Sequence, residues 1–398
     1  MKLRTLDNLD LKGKTVFLRC DLNVPLDNKG KVTDITKIKR HKVTIDELIN
    51  KKAKILVISH LGRPKGKEVE ELSLNKISDE FVKVMNIKEI TVLPFCRPNI
   101  IKSVLEEKQE GSITLMENIR FYPEEEQNDE SFARELSAIG DYYINDAFSV
   151  SHRKHLSTFS LSKFLPSYLG RSLELELTML SKIYENIDKP VMAIIGGSKI
   201  STKINILTNL VKKMQTIVIV GAMANNFIKH KGNNIGKSLY EKNQESLLKD
   251  IIKKCKKNNC KLIIPEDVIV AKSYESEPKL KSLNKINDTD IILDIGENTI
   301  KKIYNIINES KTILWNGPVG YFELEKFSTG SNKIAKKITE NTKNKSILSI
   351  AGGGDTVAAI NKFNCSDGFT YISTAGGAFL ELLEGKILPG IKALEINE

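Results

Sequence analysis

The chain has 398 residues, 40% apolar and 28% charged, with 61 basic against 50 acidic side chains and a net charge of +11. That length exceeds one ordinary hydrophobic core and predicts two domains of roughly 150–200 residues each. No apolar run reaches the roughly 18 residues of a membrane span. The opening Met-Lys-Leu-Arg stretch alternates charge with leucine and lacks the apolar stretch of a signal peptide. Five scattered cysteines form no CxxC pair, so neither a disulfide framework nor a zinc knuckle is indicated, and a reducing cytoplasm is expected. Excess positive charge can mean nucleic acid. Aromatics are only 6%, however, without an aromatic–basic stripe on which bases stack, so nucleic acid is not an expected partner.

Short apolar runs alternate with amphipathic stretches, the pattern of βαβ units around parallel sheets. In the first half, strands are predicted at Thr15–Cys20, Lys54–Ser59, Ile90–Leu93, Ser112–Met116 and Tyr142–Asn145. Helical periodicity lies around 38–51, 74–85, 98–107 and 129–138. From Arg171, leucines at 173, 177 and 180 step by four and three, which predicts one continuous helix over 171–186. Such a connector couples the halves more stiffly than a Gly/Ser linker and is a candidate hinge. In the second half, strands are predicted at Val191–Ile195, Thr216–Val220, Lys261–Ile264, Ile291–Asp294, Thr312–Leu314 and Ser346–Ile350. Helices are predicted near 201–213, 241–257, 298–309, 328–343 and 356–362.

All nine arginines lie at or before Arg171, whereas lysines run throughout. A lysine-rich chain keeps arginine where the planar donor fork matters, so the first half is expected to grip a small polyanion. The strand ends point the same way, because ligands of open α/β sheets gather there. Arg19-Cys-Asp-Leu-Asn-Val-Pro offers Asp21 and Asn23 on one side of the chain. Ser59-His-Leu-Gly-Arg-Pro offers His60 and Arg63 around Gly62. Met116-Glu-Asn-Ile-Arg and Asn145-Asp-Ala-Phe-Ser-Val-Ser-His-Arg add Arg120 and Arg153. The second half reads as a nucleotide site. Ile195-Gly-Gly-Ser-Lys leads from a strand toward a helix with Lys199 and Lys203, a phosphate cradle without Walker A spacing. Ala351-Gly-Gly-Gly-Asp-Thr puts Asp355 where a magnesium ion could be held. Thr374-Ala-Gly-Gly-Ala precedes one more helix, and Trp315-Asn-Gly-Pro-Val-Gly-Tyr-Phe-Glu ends in Glu323, a candidate ribose acceptor.

These motifs, in this order and at this spacing over essentially the whole chain, resemble the phosphoglycerate kinase family. The resemblance implies an α/β fold of two Rossmann-like, doubly wound domains with parallel sheets, joined by a hinge helix. It places a 3-phosphoglycerate domain at 1–170, the hinge helix at 171–186 and a nucleotide domain at 187–387, with 388–398 packing back on the first. The implied reaction is reversible transfer of the acyl phosphate of 1,3-bisphosphoglycerate to Mg-ADP, giving 3-phosphoglycerate and ATP. By position, Asp21, Leu22, Asn23, Lys37, His60, Leu61, Gly62, Arg63, Arg120 and Arg153 contact the triose. Lys199, Lys203, Asn316, Glu323, Gly353, Gly354, Asp355 and Thr356 contact the nucleotide, with Asp355 on Mg2+. Lys199, Lys37, Gly376 and Gly377 act on the transferring group. A cytoplasmic monomer acting on small molecules is implied.

Three positions depart from the family pattern. Lys37 stands where Arg is usual, which keeps the charge and loses the fork, and Arg40 on the same helical face could compensate. Ala222 and Ala375 stand where glycine is common. No acid–base pair is evident, as suits a reaction whose nucleophile, a carboxylate, is already ionised.

Overall fold

In a computed structural model, residues 2–184, 187–345 and 347–395 are described. The chain divides into two compact units, Met1–Thr178 with Ile387–Glu398, and Met179–Lys386. No helix among the described residues is long and apolar enough to cross a membrane.

Unit 1 is built on β1 (Thr15–Arg19), β2 (Lys54–Ile58), β3 (Thr91–Val92), β4 (Ile113–Leu115), β5 (Tyr142–Asn145) and β6 (Ser167–Leu169), in the order β3-β4-β2-β1-β5-β6. All five pairings are parallel, with Arg19 in register with both Ile58 and Asn145. Val16, Phe17 and Leu18 are fully buried on successive positions of β1. A continuous apolar run is what a strand covered on both faces requires. The chain leaves β1 toward β2 and later returns to the other side of β1 as β5. The crevice at this reversal, outside the carboxyl ends of the strands, is where such sheets hold ligands.

Unit 2 repeats the plan. Its main sheet comprises β7 (Val191–Ile195), β8 (Thr216–Ile219), β9 (Lys261–Ile263), β13 (Thr312–Asn316), β14 (Leu348–Gly352) and β15 (Tyr371–Ser373). The order is β15-β14-β13-β7-β8-β9, all parallel, with the reversal between β7 and β13. The fold is therefore α/β with two six-stranded parallel sheets. One expectation needs correcting. The run at Ile291–Asp294 belongs to β12 (Ile291–Ile295), which pairs antiparallel with β10 (Asp267–Ala271), itself antiparallel to β11 (Lys279–Ser282). This small second sheet is not part of the parallel one.

Arg171–Tyr184 forms a helix that contains the passage from one unit to the other, and the predicted positions 185–186 lie outside the described residues. Its first residue is held in place. Arg171 pairs with Glu47 at 2.6 Å, Asp7 at 2.7 Å and Glu174 at 2.7 Å. The segment from Ile387 packs within unit 1, where Gly390 N–H donates to the Ser151 carbonyl at 2.8 Å. Residues 396–398 lie outside the described part.

Candidate functional site

In unit 1 the loops after β1, β2 and β5 bring together most of the residues singled out above. Asn23 Oδ1 accepts the Gly62 N–H at 2.8 Å, tying the first two loops to each other. Leu22 N–H donates to Ser59 Oγ at 2.9 Å, a second tie, while the Leu22 and Leu61 side chains are buried as packing. Arg120 Nη1 donates to the Gly62 carbonyl at 2.7 Å, adding the segment after β4. Asp21 is almost fully buried, yet its carboxyl lies below the usual carboxylate range. Burial opposes ionisation, and the Lys37 ammonium at 2.8 Å together with the Ser149 hydroxyl outweighs it.

The cluster is electropositive. Arg19 is fully buried, donating from Nε to Ser157 Oγ at 2.9 Å, with Nη2 3.2 Å from His60 Nδ1. His60 is pushed well below the ordinary imidazole value by burial and by Arg19, Arg120 and Lys37, against the pull of Asp21, so its ring is neutral. Arg120 is pushed down to about 10 by burial and by the positive charges of Arg19 and Arg153. Its Nε is buried with no hydrogen-bond partner, and Glu126 Oε1 at 3.6 Å is too far to accept. A donor buried without an acceptor, beside two more guanidiniums, is costly. Arg153 is half-buried and Arg63 exposed.

Not every arginine serves this cluster, which corrects the composition argument. Arg97 pairs with Glu124 at 2.8 Å, Arg134 covers the Phe164 ring at 4.6 Å, Arg4 lies over Tyr168, and Arg171 anchors a helix start. Arg40 Nη1 reaches Glu176 Oε2 at 3.3 Å, whereas Lys37 meets Asp21.

Sequence reasoning missed four polar residues beneath the cluster, three of them buried and Ser149 half-buried. Glu125 accepts both the N–H and the hydroxyl of Ser157, at 2.8 and 2.7 Å, and so fixes the partner of Arg19. Asp21 N–H donates to His41 Nε2 at 2.9 Å, while His41 Nδ1 lies 2.7 Å from Asp146 Oδ2. Ser149 holds Asp21. Asp146 and Ser149 sit inside a motif already read for Arg153, so the signal was present. His41 and Glu125 carry no local mark.

In unit 2 a cavity of about 480 Å³ opens beside the β7–β13 reversal, lined by Gly197, Gly221, Ala222, Tyr321, Glu323 and Asp355 among others. Beside it, Gly196 and Gly317 let the loops after β7 and β13 approach closely. A Cβ on Gly317 would stand 2.3 Å from the Gly196 carbonyl oxygen, and Gly317 has φ +106°. Lys203 Nζ donates to Asn316 Oδ1, and Asn316 Nδ2 donates to the Gly352 carbonyl at 2.7 Å. Burial lowers the Lys203 pKa, against the favourable field of Asp355 and Glu384. Lys203 precedes its helix, which runs Ile204–Leu210, and Lys199 is exposed in the loop before it. Asp355 is exposed in the first turn of the helix Gly354–Lys362, and Gly376 opens the helix Gly376–Leu383. A Cβ on Gly354 or Gly376 would meet nothing within 4 Å, so both helix starts border open space. Thr356 is different: its hydroxyl is buried and accepts the Gly317 N–H at 2.7 Å.

A family model described as phosphoglycerate kinase matches residues 6–386. The phosphoglycerate kinase of Bradyrhizobium diazoefficiens is 45% identical over 398 residues, 100% of this chain and 99% of that protein. The structure of phosphoglycerate kinase from Coxiella burnetii matches with a TM-score of 0.91 at 38% identity, covering 99% of both chains. The phosphoglycerate kinase structure from Pyrococcus horikoshii matches with a TM-score of 0.81 at 27% identity, covering 98% of both.

The chain belongs to the phosphoglycerate kinase family. It is a phosphotransferase with a carboxyl group as acceptor, moving the acyl phosphate of 1,3-bisphosphoglycerate reversibly to ADP in glycolysis and gluconeogenesis. Against the phosphoglycerate kinase pattern, Ala222 lies on the cavity wall directly after Gly221, which has φ +66°. Ala375 is buried just before the helix start, with φ −92°, a conformation any residue adopts.

Proposed function

We propose that the unit 1 cluster holds 3-phosphoglycerate and that the unit 2 crevice holds the nucleotide. Arg63, Arg120 and Arg153 grip the 3-phosphate together with neutral His60, while Asp21, Asn23 and Lys37 meet the hydroxyl and carboxyl end. Leu22, Leu61 and Gly62 shape the loops that carry these groups. The single observation behind this reading is Arg120 Nε, buried without an acceptor between Arg19 and Arg153. A phosphate supplies the missing acceptor and the missing charge at once. In unit 2, Lys203, Gly353, Gly354, Asp355 and Thr356 surround the nucleotide phosphates, Asn316 orients Lys203, and Glu323 takes the ribose.

A carboxylate nucleophile needs no base, so the residues work by placing the reactants and by balancing charge. Lys199, Lys37 and the amides at Gly376 and Gly377 are assigned to the group in flight, as donors suited to its negative charge. The acyl phosphate hydrolyses in water, so the reaction asks for a dry arrangement of both ligands. The helix Arg171–Tyr184 is assigned to conveying the movement that creates it. The described residues contain no group of three or more His, Cys, Asp or Glu able to hold a metal. One exposed carboxylate beside a phosphate cradle fits Mg2+ arriving with the nucleotide, with Asp355 as its protein ligand. Bound there, Mg2+ supplies charge neutralisation on the phosphates. We take the enzyme to act as a cytoplasmic monomer on small molecules, not nucleic acid. The five cysteines, all free, suit a reducing compartment.

The test is steady-state kinetics with 3-phosphoglycerate, ATP and Mg2+ on Arg120→Lys. Losing the fork is expected to raise KM for 3-phosphoglycerate about 10- to 100-fold, worth ~1.4–2.8 kcal/mol, and to leave KM for ATP unchanged. An unchanged triose KM would remove the assignment.

A further inference from the structure

His41 closes the short helix Thr36–Arg40 and is 4% exposed. Both ring nitrogens are engaged. Nε2 accepts the main-chain N–H of Asp21 at 2.9 Å, which puts the ring proton on Nδ1, 2.7 Å from Asp146 Oδ2. Burial lowers the His41 pKa while Cys20 and Asp146 raise it well above the ordinary imidazole value, yet a ring protonated at both nitrogens could not accept the Asp21 N–H, so this hydrogen bond requires the neutral Nδ1–H form.

Asp146 faces two ways. Its other oxygen, Oδ1, accepts the N–H groups of Ser172 at 2.8 Å and Leu173 at 3.3 Å, the first free donors of the helix Arg171–Tyr184. Space for this cap is cleared by Gly170, where a Cβ would stand 2.2 Å from Asp146 Oδ1. The same short helix grips the long one twice more, through the Ser172 hydroxyl on the Arg40 carbonyl and through Arg40 on Glu176. The same helix also carries Lys37, bound to Asp21.

We infer that His41 is a positioning residue for the phosphotransfer reaction, joining the Asp21 main chain to the Asp146 cap of the helix in which the chain leaves unit 1. The inference rests on the reading of Asp21 as a triose ligand. The Asp21 loop carries no regular structure of its own, and among the described residues its N–H has no acceptor but a ring whose tilt is set by the helix start. A shift of that helix start is passed through one rigid imidazole to the residue that meets the triose, and occupancy of the triose site is passed back.

Two substitutions cut the two links separately. An asparagine amide reaches the place of Nδ1, so His41→Asn keeps Asp146 and abandons the Asp21 N–H. A glutamine oxygen reaches the place of Nε2, so His41→Gln keeps the Asp21 N–H and loosens Asp146. His41→Asn is expected to raise KM for 3-phosphoglycerate about tenfold with KM for ATP unchanged, the usual scale for a buried N–H left unpaired. His41→Gln is expected to hold KM for 3-phosphoglycerate within about twofold while lowering the thermal midpoint. Equal triose KM values in both variants and the parent, with lowered midpoints alone, would overturn the inference in favour of simple packing.

Asp21→Asn is measured beside them. If it raises KM for 3-phosphoglycerate and His41→Asn does not, the inference falls and the triose site stands. If neither does, both fall. Imidazole nitrogen spectra of the unaltered enzyme give an independent check, with only five histidines in the chain. The Nδ1–H tautomer signal of His41 is expected to shift when 3-phosphoglycerate saturates the enzyme. A signal that stays still would overturn the coupling even if the variants do not fold.

Discussion

Lys37 Nζ stands 2.8 Å from Asp21 Oδ2, on a carboxylate that the Ser149 hydroxyl also reaches. The lysine compensates a buried charge and, in the proposed site, also presents a cation to the reacting carboxyl end. Lys37→Met leaves Asp21 largely uncompensated. Stability is expected to fall by about 2 kcal/mol, less than for a fully buried pair because Lys37 is 29% exposed. Turnover with saturating substrates is expected to drop about 100-fold or more. Urea denaturation and initial rates check the two parts separately, and a turnover loss without a stability loss would show that Asp21 does not depend on the lysine.

His60 predicts a pH dependence of stability. Its folded pKa lies well below the ordinary 6.5 because of burial and the cations Arg19, Arg120 and Lys37. Between the two values the unfolded chain binds a proton that the folded one refuses. Stability is therefore full above about pH 6.5 and falls as pH drops toward the folded value, by ~1.4 kcal/mol per unit of depression. Urea titrations from pH 7 to 5 should show a shallower loss for His60→Gln, whose side chain cannot titrate.

Gly317 tests the nucleotide crevice. With φ +106° and the Gly196 carbonyl 2.3 Å from a would-be Cβ, Gly317→Ala combines strain with a backbone clash. A loss of about 3 kcal/mol and a raised KM for ATP are expected. Gly232→Ala is the control, since φ is +87° there but nothing lies within 4 Å, leaving a loss of only about 1 kcal/mol. Thermal melts and nucleotide titrations of the pair decide between strain alone and crevice closure.

Asp355 is exposed, so Asp355→Asn should leave the thermal midpoint within about 1 °C. The Mg2+ concentration for half-maximal rate is expected to rise about tenfold. A magnesium titration at fixed ATP reads this directly, and an unchanged curve would remove Asp355 as the metal ligand.

The parallel sheets were legible because strands covered on both faces are written as unbroken apolar runs, as in Val16, Phe17 and Leu18 of β1. The edge strands β6 and β15 were not, being three residues each, too short to form a pattern. Nor was β11, whose Lys-Leu-Lys-Ser is mostly exposed and carries no apolar run. The candidate site was readable where chemistry needs a charged group next to a glycine at a strand end, as at Gly62–Arg63 or Gly354–Asp355. Lys37 and Arg40 could not be told apart from spacing alone, since either one reaches inward from the same helical face. What separates them is a tertiary partner, Asp21 for one and Glu176 for the other. His41 was invisible for a related reason: a histidine earns its meaning from what its two nitrogens touch.

The seating of Gly390 on Ser151 bears on how the enzyme assembles. Unit 1 cannot be completed from its own stretch of polypeptide, because one of its pieces arrives only after the intervening residues Met179–Lys386 have been threaded elsewhere. Loop-closure entropy rises only as the logarithm of that separation, so the detour is thermodynamically mild and weighs mainly on timing. Refolding should thus finish with this late docking step, leaving unit 2 to mature on its own schedule.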